Sequence, residues 1–182
     1  MNGQILRAEE FGGEWKRVYT YGDGSCFFHS LAIVLFGQVY ADATKKDQIE
    51  VGHQLRNVIV DEEEYTNFLK AQGFLSVPGV VQPHEAGNVT THADEALINF
   101  TAKRLHLNLC ILVSPTEKYV REVDEEAPWA VLAWIKRFHF EPIVYQELSS
   151  FTAETGLEEL PELPKKHYLV EPTDPMIVWL KK

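Results

Sequence analysis

The sequence predicts an α+β fold, built as a small, mostly antiparallel sheet flanked by helices. Three observations carry this. Helical periodicity dominates the first hundred residues, strand-like apolar runs follow only after residue 107, and two of those runs are separated by Lys136-Arg137 alone. A length of 182 residues fits one domain with a sizeable core, whose motif-bearing part covers about 16–146, with 147–182 as an extension or linker.

Each element has a local cause. Residues 14–21 read as an extended lead-in, and Gly22 and Gly24 form a turn. A helix over 26–37 follows, with Phe27, Leu31 and Leu35 spaced four apart and Gly37 as its stop. A second helix covers 44–60, with Ile49, Leu55 and Val58 on its apolar side. A third covers 61–72, its first turn crowded with acid where the helix dipole favours it. The Gly- and Pro-rich segment 73–91 reads as a long loop. Helix returns over 92–106, with Ala96, Leu97, Phe100 and Leu105 facing the core. Strands are predicted at 108–113, 130–135 and 138–145, the last two as a hairpin. Pro142 sits uneasily in an uninterrupted inner strand. Asp174-Pro175 marks the start of a short closing helix.

Composition narrows the function. Formal charge is −10, from 17 basic and 27 acidic side chains, which disfavours a nucleic-acid partner and favours a basic protein or peptide. No apolar run approaches the ~20 residues of a membrane-spanning helix, so no membrane association is expected. The N-terminus lacks the layout of a signal peptide. Two cysteines do not make a disulfide framework, and free thiols in a reducing, cytoplasmic setting are expected.

Cys26 follows Asp23-Gly24-Ser25 at the head of the first helix. A thiol attacks a carbonyl as thiolate, and a helix N-terminus stabilises that anion through its unpaired N–H groups. A glycine turn can aim several N–H groups at one point, as an oxyanion requires. The backbone N–H of Cys26 and one from Asp23-Gly24 are therefore assigned to an oxyanion hole. The competing explanation is a packed cysteine, which is common.

A nucleophile needs a base, and His139 is the best of seven histidines. It lies on a predicted strand between Phe138 and Phe140, which would both point to the opposite face. Glu141, two residues on, shares its face and can orient the imidazole. The competing explanation is a chance His-x-Glu pair on a surface strand. His29, one helical turn after Cys26, is a second candidate base, with packing or hydrogen bonding as its favoured role. His53, His92 and His106 are read as structural or exposed, and Cys110 as inert core. No spacing indicates a metal site or any cofactor.

Asp23-Gly24-Ser25-Cys26-Phe27-Phe28-His29-Ser30 closely resembles the catalytic-cysteine motif of the ovarian-tumour (OTU) cysteine proteases, and His139-Phe140-Glu141 resembles that family's histidine motif. The order, cysteine early and histidine late, agrees. The resemblance covers roughly residues 16–146. It implies a papain-like fold and a thiol-dependent deubiquitinase that hydrolyses isopeptide bonds after the C-terminal glycine of ubiquitin. Cys26 would be nucleophile, His139 base and then acid, Glu141 the orienting carboxylate, and Asp23 a further catalytic residue. Aromatics such as Phe140 or Trp134 would wall the channel for the glycine-glycine tail. Ubiquitin or polyubiquitin, with ubiquitin-like modifiers as further candidates, would be the partner of a monomeric protein. Acidic charge such as the Asp61–Glu64 run would favour encounter with ubiquitin's basic tail, unless that run is simply a solvated helix start. Two departures stand out: Glu141 where many members carry Asn or Asp, and Thr90-Thr91-His92-Ala93-Asp94 where a Trp-Gly signal is usual. The short span from Cys26 to His139 resembles the compact viral and bacterial members, which would act in a host cytoplasm. Polyprotein processing with the same triad, and an inactive ubiquitin-binding module, are the alternatives.

Overall fold

The computed structural model describes residues 5–8, 13–114, 117–147, 169–174, 177–178 and 181. Six strands form one sheet in the order β1-β2-β6-β5-β3-β4. They are β1 (Ile5–Ala8), β2 (Gly13–Arg17), β3 (Asn108–Leu112), β4 (Lys118–Arg121), β5 (Trp129–Ile135) and β6 (His139–Glu147). Only the β3–β5 pair is parallel. The α+β prediction therefore holds. β1, β4 and the five-residue helix α2 (Gln38–Asp42) lacked a readable signal, and the extended lead-in proves to be β2.

The other helices are α1 (Cys26–Phe36), α3 (Lys45–Ile59), α4 (Glu62–Gln72), α5 (Pro83–Ala86) and α6 (Glu95–Leu105). α3, α4 and α6 each have a side-chain N-cap. Thr44 and Asp61 accept the backbone N–H of Asp47 and Glu64 and start α3 and α4. The acidic run 61–64 is thus the N-terminal turn of α4, with Glu64 paired to Arg104. Asp94 accepts the N–H of Leu97, so α6 begins at Glu95 rather than at His92. The predicted loop 73–91 holds α5, closed by a capping box between Gln82 and Glu85.

α1 is buried from Cys26 to Val34 and packs against α3 and β6. A helix apolar all round belongs inside a core, and this one lies beneath the sheet. Strand alternation divides the sheet's two faces. Leu109, Ile111, Leu132, Trp134, Phe140 and Val144 join the main core with α1 and α6. Cys110, Trp129, Val131, Ala133 and Ile143 face the other way, against Val170 and Ile177. Val170 and Trp129 exchange both backbone hydrogen bonds at 2.8 Å. So Val170 and Ile177 of the C-terminal extension pack on the sheet's second face. A helical hydrogen bond runs from Val178 N–H to Asp174 O, while Pro175 lies outside the described residues.

Three local readings change. Val58 is 73 % exposed, and α3 instead buries Gly52, Arg56 and Ile59. That face meets the polar N-terminal end of α1, which calls for a small residue and a donor rather than an apolar stripe. The β5–β6 turn closes on Ile135 paired with His139, so Phe138 falls outside the ladder as well as Lys136 and Arg137. Pro142 is accommodated because β6 changes neighbours there. Residues 139–142 pair with β5 and 143–147 with β2, and the proline's carbonyl still accepts Val18 N–H at 3.0 Å.

If the C-terminal stretch is part of the core, Ile177→Ala should lower stability by about 2–4 kcal/mol. Urea unfolding measures this; a free tail would leave the midpoint unchanged.

Candidate active site

The site forms where the N-terminus of α1 meets the first residues of β6. The sharp entry into α1 is locally encoded. The Asp23 carboxylate accepts Ser25 N–H at 2.9 Å, and Cys26 N–H makes a long 3.3 Å contact to Asp23 O. Gly24 is required by a close approach: a Cβ there would lie 2.1 Å from the Thr90 carbonyl carbon and oxygen. Ser25 Oγ donates to Val89 O at 2.7 Å, tying the same 88–91 loop to the cysteine turn.

From the opposite side comes β6. Phe140 N–H donates to Cys26 Sγ at 3.4 Å, and Sγ lies 3.9 Å from Phe138 O. The Cys26 residue as a whole is only 1 % exposed. His139 reaches the thiol with its ring and is pushed up to about 9. The Cys26 thiol beside the ring is the largest cause and the Glu141 carboxylate the next, both working against partial burial. Glu141 Oε2 stands 3.6 Å from His139 Nε2, and Glu141 Oε1 is 2.8 Å from Arg17 Nε. Nearer to that imidazole nitrogen is Thr20 Oγ1, at 3.3 Å. Cys26, His139 and Glu141 are therefore brought together.

Asp23 sits apart from this chain of contacts. Burial raises its carboxyl, but hydrogen bonds from His29 and His53 outweigh that, and the net shift is downward. His29 Nε2 is 3.0 Å from both carboxylate oxygens, and His53 Nε2 is 2.9 Å from Oδ2. Burial holds His29 below its ordinary range, against the pull of Asp23, so it works as a neutral donor. The three side chains bring ligand-type atoms within 4.8 Å of one another. The tautomer argues against a metal there. Coordination through Nε2 would move the His29 proton to Nδ1, which is buried, lies against Gly52 and has no partner among the described residues. His29 is thus a fixed prop for the cysteine turn, the hydrogen-bonding role that its sequence position suggested.

Sequence reasoning missed Arg56. This fully buried guanidinium donates to Gly24 O and Ser25 Oγ at 3.1 Å and to Ala86 O at 2.9 Å. Burial brings it down to about 10, with the Asp23 carboxylate among the groups pulling it back up, so it is still a cation at neutral pH. Only its place within an apolar helical pattern hinted at this. Phe140 and Trp134, expected to wall a substrate channel, are 1 % and 7 % exposed and stack on each other in the core, ring centroids 5.0 Å apart. The exposed aromatic at this end is Phe138, at 60 %, with its ring 4.4 Å from that of His92. Cys110 is buried in β3, its thiol pushed up to about 11 by that burial.

No family model matches the chain, and no curated protein does. Solved structures do. An ovarian-tumour domain solved in complex with ubiquitin shares 11 % identity, covering 93 % of this chain and 82 % of that one, with a TM-score of 0.58. The viral OTU domain protease from Taggert virus shares 13 % identity over 80 % of this chain and 94 % of that one, TM-score 0.48. The Hazara virus OTU domain, solved bound to ubiquitin, shares 16 % over 79 % and 87 %, TM-score 0.44. The class is thus an α+β domain carrying a cysteine and a histidine at one end of its sheet. The chain has, specifically, the OTU fold.

Two outcomes test this geometry. A histidine whose folded pKa is raised stabilises the fold fully below its unfolded value of about 6.5 and loses that contribution as pH climbs through about 9. NMR titration should find the His139 midpoint high, and Cys26→Ala should lower it by removing the largest cause. Gly24→Ala should cost about 1–3 kcal/mol in urea unfolding, because the Thr90 backbone must move aside.

Proposed function

We propose that the protein is a cysteine-type deubiquitinase, hydrolysing the isopeptide bond after the C-terminal glycine of ubiquitin. The observation that carries this reading is the contact between Cys26 and His139, delivered by distant segments to one end of the sheet. The OTU fold, met also in a domain solved with ubiquitin, supports the substrate class. The acidic net charge suits a partner with a basic tail.

The proposed chemistry uses only side chains and backbone groups already described. His139 takes the Cys26 proton, and the thiolate attacks the glycine carbonyl carbon, whose electron pair moves to oxygen. The backbone N–H of Cys26, whose contact to Asp23 O is long at 3.3 Å, and one from Asp23-Gly24 receive that oxyanion. Collapse breaks the C–N bond while the imidazolium gives its proton to the departing lysine amine. His139 then removes a proton from water, which hydrolyses the thioester and regenerates the thiol. Glu141, partnered by Arg17, stabilises the imidazolium. Because Cys26 is almost fully buried, groups around it must move aside for the substrate tail to reach the sulfur.

A ubiquitin bearing a C-terminal electrophile should add its mass once to the chain, and Cys26→Ala should abolish the adduct. His139→Ala should reduce cleavage of di-ubiquitin by about 10²–10⁴-fold. A folded wild-type chain that binds ubiquitin yet forms no adduct would establish a binding module instead.

A further inference from the structure

The imidazole of His139 needs an acceptor on the side away from sulfur, and the carboxylate expected there is not the nearest one. Glu141 Oε2 stands 3.6 Å from Nε2, beyond ordinary hydrogen-bond length, and its other oxygen faces Arg17. Thr20 Oγ1 is closer, at 3.3 Å, and donates its own proton to Phe140 O at 2.5 Å. A hydroxyl has one proton. With that proton committed to a carbonyl, Thr20 can only accept from His139.

We propose that Thr20 is a positioning residue for His139, its hydroxyl holding Nε2–H and so leaving Nδ1 for the thiol. This rests on the reading of Cys26 and His139 as the reacting pair. The fold builds the arrangement deliberately. Thr20 is 1 % exposed, and the chain leaving β2 is pinned to β6 by Val18 N–H donating to Pro142 O at 3.0 Å. The hydroxyl therefore rides on the same strand that carries the histidine. It accepts Nε2–H whether the ring is neutral or protonated, so it sets orientation throughout the cycle. Glu141 has the complementary task of favouring the charged form, which a neutral hydroxyl does little to alter. A hydrogen-bonded hydroxyl and a nearby carboxylate thus divide work that one Asp or Asn would do alone.

Thr20→Val keeps the shape and removes the hydroxyl; Thr20→Ser restores it. In the Cys26→Ala background, at a pH above the ring's titration midpoint, nitrogen-resolved NMR should show His139 as the Nε2–H tautomer. Thr20→Val should give a mixture, and Thr20→Ser should not. With Cys26 present, Thr20→Val should lower kcat on a fluorogenic ubiquitin amide by about tenfold to a hundredfold with KM little changed. Thr20→Ser should stay close to wild type. Glu141→Gln should instead move the His139 midpoint downward. An unchanged tautomer in Thr20→Val, or a serine variant as impaired as the valine one, overturns the proposal. The tautomer measurement uses no substrate, so it stands or falls separately from the deubiquitinase reading.

Discussion

The buried guanidinium of Arg56 is the constraint on which the site depends. It reaches from α3 to the carbonyl of Gly24, the hydroxyl of Ser25 and the carbonyl of Ala86. Three segments with no regular pairing between them are thereby held in one place. Left without such a donor, the Gly24 and Ala86 carbonyls would be buried at a cost of about 1–3 kcal/mol each. The cation also stands beneath the end of α1, where the dipole already favours an anion. Structural satisfaction and local electrostatics act here through a single side chain.

Around that anchor the remaining polar contacts form two groups with different tasks. Asp23, His29 and His53 set the shape of the turn before Cys26, with both imidazoles within hydrogen-bond reach of the Asp23 carboxylate. Thr20, Glu141 and Arg17 surround His139 from the strand side. The groups meet only at the sulfur, where Phe140 N–H completes the contact. One group places Cys26 and the other places His139.

The motif-bearing elements were legible because their causes are local. Cys26 begins a helix as the glycine turn requires, and Gly37 marks its end by its own chemistry. His139 and Glu141 share a face through strand alternation. What stayed hidden is set by tertiary contact. Phe138 looked like a strand residue, but the left-handed pair Lys136 and Arg137 places the turn so that it falls outside the ladder. Trp134 and Phe140 looked like channel walls, since residue type alone does not say which side of a sheet meets a helix. Thr20 gave no sign and Arg56 only its place in an apolar helical pattern, because a buried polar group is recognised by its partners, and these lie about 120 and 30 residues away in sequence.

Near-complete burial of Cys26 has one further consequence. Disulfide exchange and peroxide oxidation both demand a collinear approach to sulfur. Cys26 is 1 % exposed, and the carbonyl of Phe138 stands 3.9 Å from its sulfur. A diffusing small oxidant brings no binding energy with which to part the groups around the thiol, whereas a polypeptide gripping a distant surface does. Access to the thiol is thereby reserved for molecules large enough to hold on elsewhere.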